Sequence, residues 1–231
     1  MHIKENADKI LAGIAAAAKS AGRRPEDVTL VGVTKTFGVE HIKEAFEAGV
    51  VNFGENRVQE FLPKYEALKE FPIKWHFIGH LQRNKVKYII DKVDMIHSVD
   101  SLDLAKEINK QAEKAKKIMQ ILVEINIAGE NSKFGVSPDN AEELMKNLVN
   151  MRFLNVAGLM CVPPFVEKAA ENRHFFQKMF NLLVDIQRNM IYHGSNHMKV
   201  LSMGMSGDYL VAVEEGATIV RIGTSLFDKR N

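Results

Sequence analysis

The sequence predicts an α/β protein built as a closed (β/α)8 barrel, and three observations carry that prediction. Short apolar or β-branched runs recur eight times, helical patterns separate them, and no Pro- or Ser-rich linker or shift of composition interrupts the alternation. Strands alternating with helices run parallel through helical crossovers. Eight such units in 231 residues match the count and scale of a barrel. An open, doubly wound sheet is the alternative, because one strand more or fewer would change the closure.

The first element is a helix over 3–21, with Ile3, Ala7, Ile10, Leu11, Ile14, Ala17 and Ala18 at helical spacing and Gly22 ending the pattern. Strand runs follow at 28–33, 50–53, 75–78, 95–99, 118–125, 153–159, 199–201 and 218–222. Between them, helical spacing covers 40–48, 58–68, a basic stretch through 85–90, 102–116, 140–149, 169–191 after Pro163-Pro164, and 209–215. Only a few residues follow the eighth run, so neither an eighth helix nor a C-terminal β-domain is expected. The helix at 3–21 should then take the eighth helix's place in the outer ring. The expected organisation is a single domain over 1–231, with residues 1–22 packed on the barrel.

Composition narrows the function classes. The chain is 46% hydrophobic and 26% charged, with 31 Lys and Arg against 29 Asp and Glu, a net charge of +2. That is globular composition and excludes a disordered chain. Charges of both signs are interleaved, so the basic face of a nucleic-acid binder is not expected; the cationic stretch 114–117 reads as a solvated helix face. The single cysteine, Cys161, cannot form an intrachain disulfide and reads as a small, partly buried hydrophobe. Met1-His2-Ile3-Lys4-Glu5 has no apolar signal core, and no run reaches the roughly 18–20 apolar residues of a membrane span. A cytoplasmic monomer without membrane contact is the expectation.

In a barrel the chemistry sits where the strands exit, and the polar and glycine residues of this chain cluster there. The first exit reads Val33-Thr34-Lys35-Thr36. A lysine ending an apolar strand can aim its amine inward, where desolvation frees a nucleophile for Schiff-base chemistry; a lysine turned to solvent is the plainer alternative. Barrels often bind phosphate between the loops after strands 7 and 8. Those loops here carry Gly204, Ser206 and Gly207, then Gly223 and Thr224, with glycines for close backbone approach and a hydroxyl to donate. Ser206 or Asp208 could instead merely cap the helix that follows. A Schiff-base lysine beside a phosphate site suggests either pyridoxal phosphate or a phosphorylated aldehyde substrate.

The residues at these exits also carry a resemblance. Val33-Thr34-Lys35-Thr36, the stretch from Phe53-Gly54-Glu55-Asn56 to Glu60, Trp75 to Lys85, His97-Ser98-Val99-Asp100-Ser101, Leu201 to Asp208 and Arg221-Ile222-Gly223-Thr224 together resemble the pyridoxal phosphate homeostasis protein family, over about residues 28–227. That family is similar to the barrel domain of alanine racemase. One departure is Asp228, where the family usually has glycine. The resemblance implies that Lys35 holds pyridoxal phosphate as a Schiff base, that Ser206, Gly223 and Thr224 hold its phosphate, and that Arg221 faces the pyridine nitrogen. It also implies that Asn56 and Met203 line the ring, with His80 nearby. In the alanine racemases one of two catalytic bases is a tyrosine from a second domain, for which this chain leaves no room. Tyr65, Tyr88, Tyr192 and Tyr209 offer no evident substitute.

Three readings follow. The first is a pyridoxal phosphate carrier, acting in cofactor homeostasis and amino-acid balance, with apo-enzymes as recipients and no catalytic residue of its own. The others are a low-efficiency amino-acid racemase and a cofactor-free Schiff-base aldolase. Metal is not expected: His76 and His80 lie about 13 Å apart along a strand, and His193 and His197 have no acidic or cysteine companions nearby. Gly204-Met205-Ser206-Gly207 falls short of a nucleophile elbow.

Overall fold

A computed structural model describes residues 2–130, 132–189 and 198–228. The elements in order are α1 (His2–Ser20), β1 (Thr29–Val33), α2 (Val39–Glu47), β2 (Asn52–Glu55), α3 (Val58–Ala67), β3 (Lys74–Phe77), α4 (Val86–Ile89), β4 (Met95–Val99), α5 (Leu102–Lys114) and β5 (Met119–Ile125). They continue with α6 (Pro138–Leu148), β6 (Leu154–Cys161), α7 (Arg173–Asn189), β7 (Val200–Ser202), α8 (Tyr209–Glu214), β8 (Ile219–Ile222) and α9 (Thr224–Phe227). The eight strands close in sequence order into one parallel barrel. β8 meets β1 with Thr29 opposite Ile219 and Gly32 opposite Ile222, which excludes the open sheet.

Alternation along each strand divides the interior into two layers. Outward residues such as Phe53, Trp75, Phe77, Ile121 and Leu159 join the apolar faces of the helices in one large core. Leu122, Ala157 and Met160 form a separate small cluster inside the lumen, with Met95 and Val200 against it. Gly32 is small because an added Cβ would sit 3.1 Å from both Leu226 and Phe53. The amphipathic α1 buries Ile3, Ala7, Ile10, Ile14, Ala17 and Ala18 and packs against α8, α9 and α2.

Several local expectations change. A helix does follow β8, but α9 is a single turn. The basic stretch after β3 begins as a 3-10 turn, Arg83–Lys85, and only then becomes the one-turn α4. The long helix before β7 starts as a separate 3-10 turn, Ala169–Asn172, and its expected end at 190–191 lies outside the described residues. The stretch 114–117 is not a solvated helix face. α5 stops at Lys114, Lys116 takes φ +51°, and Lys117 turns inward to donate to the Val93 carbonyl at 2.5 Å. Asp228 adopts φ +63°, a left-handed conformation that favours glycine and that Asp tolerates. No helix among the described residues is long and apolar enough to cross a membrane.

Candidate functional site

The chain reverses immediately after β1. Phe37 N–H donates to the Thr34 carbonyl at 3.0 Å, closing a turn in which Thr36 has φ +68°, a conformation that β-branched residues rarely adopt. Side chains from β2 and α3 hold that turn from behind. Thr34 Oγ1 donates to Glu55 Oε1 at 2.6 Å; Lys64 Nζ donates to the Thr34 carbonyl at 2.8 Å and to Glu55 Oε1 at 2.5 Å. The Thr36 N–H donates to Glu60 Oε2 at 3.3 Å. Glu55 is fully buried and Lys64 nearly so. The backbone on either side of Lys35 is thus pinned, while its side chain is exposed on the rim of a cavity of about 250 Å³. Of the two readings of the strand end, the fold gives the exposed lysine, and that lysine still lines the mouth cavity.

The loops after β7 and β8 form another wall of that cavity. Ser225 N–H donates to Ser206 Oγ at 3.3 Å, tying the loops together. Gly204 has φ +90°, and a Cβ there would lie 2.6 Å from Ala212 Cβ, so only glycine fits. Neither Ser206 nor Asp208 caps α8 through its side chain. Asp208 accepts instead from the Met205 N–H at 2.7 Å and from Asn172 Nδ2 at 2.8 Å.

Arg221 lines the same cavity from β8 and is only 4% exposed. Its Nη1 donates to Ser202 Oγ at 2.5 Å and its Nη2 to the Cys161 carbonyl at 2.8 Å. No carboxylate among the described residues pairs with it. Burial lowers its pKa, opposed by the fields of Cys161, Glu124 and Asp208. Behind Ser202 stand two buried histidines. Burial pushes His76 down to about 4 and, with His76 and Arg221 adding to it, holds His97 well below its usual range, so both are neutral near pH 7. Burial, reinforced by Asp100, pushes the Glu124 carboxyl up to about 7. Cys161 is fully buried rather than partly so, which pushes its thiol to about 12.

Residues 6–230 match the alanine racemase N-terminal domain family. The pyridoxal phosphate homeostasis protein of Aquifex aeolicus is 46% identical over 230 residues, covering 100% of this chain and 99% of its own. That of Escherichia coli is 36% identical, covering 99% and 97%. The chain belongs to the pyridoxal phosphate homeostasis protein family. Among solved structures, PipY of Synechococcus elongatus with PLP bound is 33% identical at a TM-score of 0.81, covering 93% of this chain and 99% of its own. An alanine racemase of Clostridium difficile is 16% identical at a TM-score of 0.73, covering 96% of this chain and 56% of its own, a likeness of fold.

In this member of the homeostasis protein family, five of the eight site residues read from the sequence share one cavity: Lys35, Ser206, Arg221, Gly223 and Thr224. The other three do not line it. Asn56 and His80 line a separate cleft of about 450 Å³, and His80 stacks on Phe134 with centroids 3.9 Å apart. Met203 is fully buried in the strand–helix core; Met205, two residues on, lines the cavity in its place. Sequence reasoning missed Asn172, Pro164, Phe165 and Val166, which arrive from the long segment between β6 and α7 and carry no motif. It also missed Lys64, Glu124 and the partners of His76. A legible signal existed for the histidines: His76 lies between Trp75 and Phe77, and strand alternation then turns it to the lumen. Among the described residues no group of three or more His, Cys, Asp or Glu side chains could hold a metal. His193, His197 and Tyr192 lie outside the described residues.

Proposed function

We propose that this chain binds pyridoxal phosphate at the barrel mouth and serves cofactor homeostasis, holding and releasing the cofactor without efficient turnover. The observation that carries the reading is the gathering, around one cavity, of an accessible lysine, a buried and unpaired arginine, and two glycine- and hydroxyl-bearing loops. These groups fit the cofactor's three functional ends. Lys35 supplies the amine for a Schiff base with the aldehyde, with loss of water. Ser206 and Thr224 supply hydroxyls, and the Gly223 backbone approaches closely, where the phosphate would lie. Arg221 would face the ring nitrogen and disfavour its protonation, because both groups would be positive, which would make the bound cofactor a weak electron sink.

The same cavity supports carrier over racemase. Among the described residues, Lys35 is its one accessible base, and Asp208, its only carboxylate, is already bonded to Met205 and Asn172. Tyr209 lies beside Gly13 of α1, and Tyr65 and Tyr88 pack with lysines on the outer ring. Glu124 titrates near neutrality but does not line the cavity. The working picture is a cytoplasmic monomer that passes the cofactor to apo-enzymes and thereby affects amino-acid balance. An absorbance spectrum with added pyridoxal phosphate, then borohydride reduction and peptide mapping, tests it. A visible imine band with the adduct on Lys35, absent in Lys35→Ala, and delivery to an apo-enzyme without racemisation of free amino acids are expected. No band and no adduct would overturn it, and racemisation that depends on Lys35 would favour the racemase.

A further inference from the structure

β4 and β7 are not neighbours in the closed barrel. The 2.9 Å contact between His97 Nδ1 on β4 and Ser202 Oγ on β7 therefore crosses the lumen. It is one of four links in a continuous chain. Asn52 Oδ1 lies 3.2 Å from His76 Nε2, His76 Nδ1 lies 2.9 Å from His97 Nε2, and Ser202 Oγ accepts from Arg221 at 2.5 Å. One end opens on a cleft at the barrel base, lined by Asn52 and His76. The other end is the guanidinium in the mouth cavity.

The direction of this chain follows from what each group can do. A guanidinium only donates, so Ser202 must accept from Arg221 and has one proton left to give. That proton goes to His97 Nδ1. A neutral imidazole has one N–H, so His97 carries it on Nε2 and gives it to His76 Nδ1. His76 then carries its proton on Nε2, facing the Asn52 carbonyl oxygen. Every group along the chain is satisfied once. With the Asn52 amide oxygen facing His76 Nε2, the reverse order would set two acceptors against each other.

We propose that Ser202, His97 and His76 are positioning residues for Arg221: a one-way hydrogen-bond chain through the lumen that fixes the guanidinium in the mouth cavity with no carboxylate bonded to it. A carboxylate in the place of Ser202 would hold the arginine equally well but cancel its charge. Neutral acceptors, the Ser202 hydroxyl and the Cys161 carbonyl, hold it and leave the charge for a ligand. The consequence for pyridoxal phosphate rests on the reading above that Arg221 meets the cofactor's ring.

Two measurements test the proposal. In the unliganded protein, nitrogen NMR of labelled histidines near neutral pH should find His97 and His76 both neutral with the proton on Nε2. A proton on His97 Nδ1 would overturn the proposed direction. In titrations with pyridoxal phosphate followed by the imine band, Ser202→Ala and His97→Phe should each weaken binding by about tenfold and move the pH midpoint of the band by about one unit. His97→Gln, whose amide accepts from Ser202 and donates to His76, should restore both to near wild type, a rescue that a merely space-filling role would not give. Wild-type affinity and midpoint in Ser202→Ala and His97→Phe would overturn the positioning role. Should Ser202→Ala fail to fold, Ser202→Thr, which keeps the hydroxyl, and the His97 pair still decide it. A wild-type protein without any imine band would instead refute the cofactor reading, and the NMR result would stand or fall on its own.

Discussion

The layer between strands and helices and the lumen of the barrel are built from the same eight strands, yet they obey opposite rules. The first is a continuous apolar core with Phe53, Phe61, Trp75 and Phe77 at its centre. The second, among the described residues, holds a small apolar cluster and the buried Glu124, and carries Asn52, His76, His97, Ser202 and Arg221 in bonded sequence. Barrel lumens are more often filled by branched apolar side chains. Burial of the polar groups along that sequence is tolerable because each finds a partner. The contrast assigns stability to the outer layer and chemistry to the lumen and its mouth, and substitutions can test that division.

The largest loss of stability is expected in the outer layer. Phe53→Ala removes a fully buried ring that packs near Trp75, with centroids 6.1 Å apart. It should cost about 3–5 kcal/mol in denaturant unfolding. A loss below about 1 kcal/mol would blur the comparison.

One ionic feature interrupts the outer layer, and it lies directly behind Lys35. Lys64→Met would leave Glu55 buried with only the Thr34 hydroxyl as partner, since Glu55 Oε2 already has none among the described residues. A cost of about 3 kcal/mol is expected, together with weaker imine formation, because the Thr34 carbonyl loses one of its two donors and keeps only the Phe37 N–H. The double variant Glu55→Gln, Lys64→Met should recover most of the stability, and a double-mutant cycle measures the coupling. Full additivity would show that the pair does not act as a unit.

The lumen makes its own prediction in acid. His76 titrates at about 4 in the folded chain against 6.5 when free, and His97 is shifted in the same direction. Between those values the unfolded chain binds more protons, so stability falls as pH drops below 6.5. Glu124 is raised to about 7 from 4.5, so the folded chain binds more protons there and its contribution grows as pH falls from 7 to 4.5. Two histidines outweigh one carboxyl, and a net loss of about 2 kcal/mol between pH 6.5 and 5 is expected in unfolding experiments. Glu124→Gln removes the opposing contribution and should steepen that loss; an unchanged slope would place Glu124 outside the lumen's electrostatics.

These two layers were also unequally legible in the sequence. The outer layer shows itself locally, because each strand's helix-facing residues form a short apolar run and each helix carries a stripe, so the eight-fold alternation and α1 could be read directly. Lys35, Ser206, Arg221, Gly223 and Thr224 were legible because they sit at strand exits. The lumen was not, since its contacts join residues far apart in sequence: His97 and Ser202 are 105 positions apart. Nor could spacing show that Lys64 reaches back from α3 to the Thr34 carbonyl, that Met203 faces the outer core, or that Asn56 and His80 open on a separate cleft.

The smallest expected effect on stability belongs to the residue with the largest expected effect on function. Lys35 is exposed, and the turn that carries it is held by bonds to the Thr34 carbonyl and hydroxyl and to the Thr36 N–H. None of these involves the Lys35 side chain. Lys35→Ala should therefore change the unfolding free energy by no more than about 0.5 kcal/mol while removing the imine band completely. Support of the strained turn by Glu55, Glu60 and Lys64 leaves the Lys35 side chain outside the turn's own bonding. A large destabilisation in Lys35→Ala would mean that the lysine itself helps to hold the mouth together, and the separation of a supporting layer from a working one would fail at its most important residue.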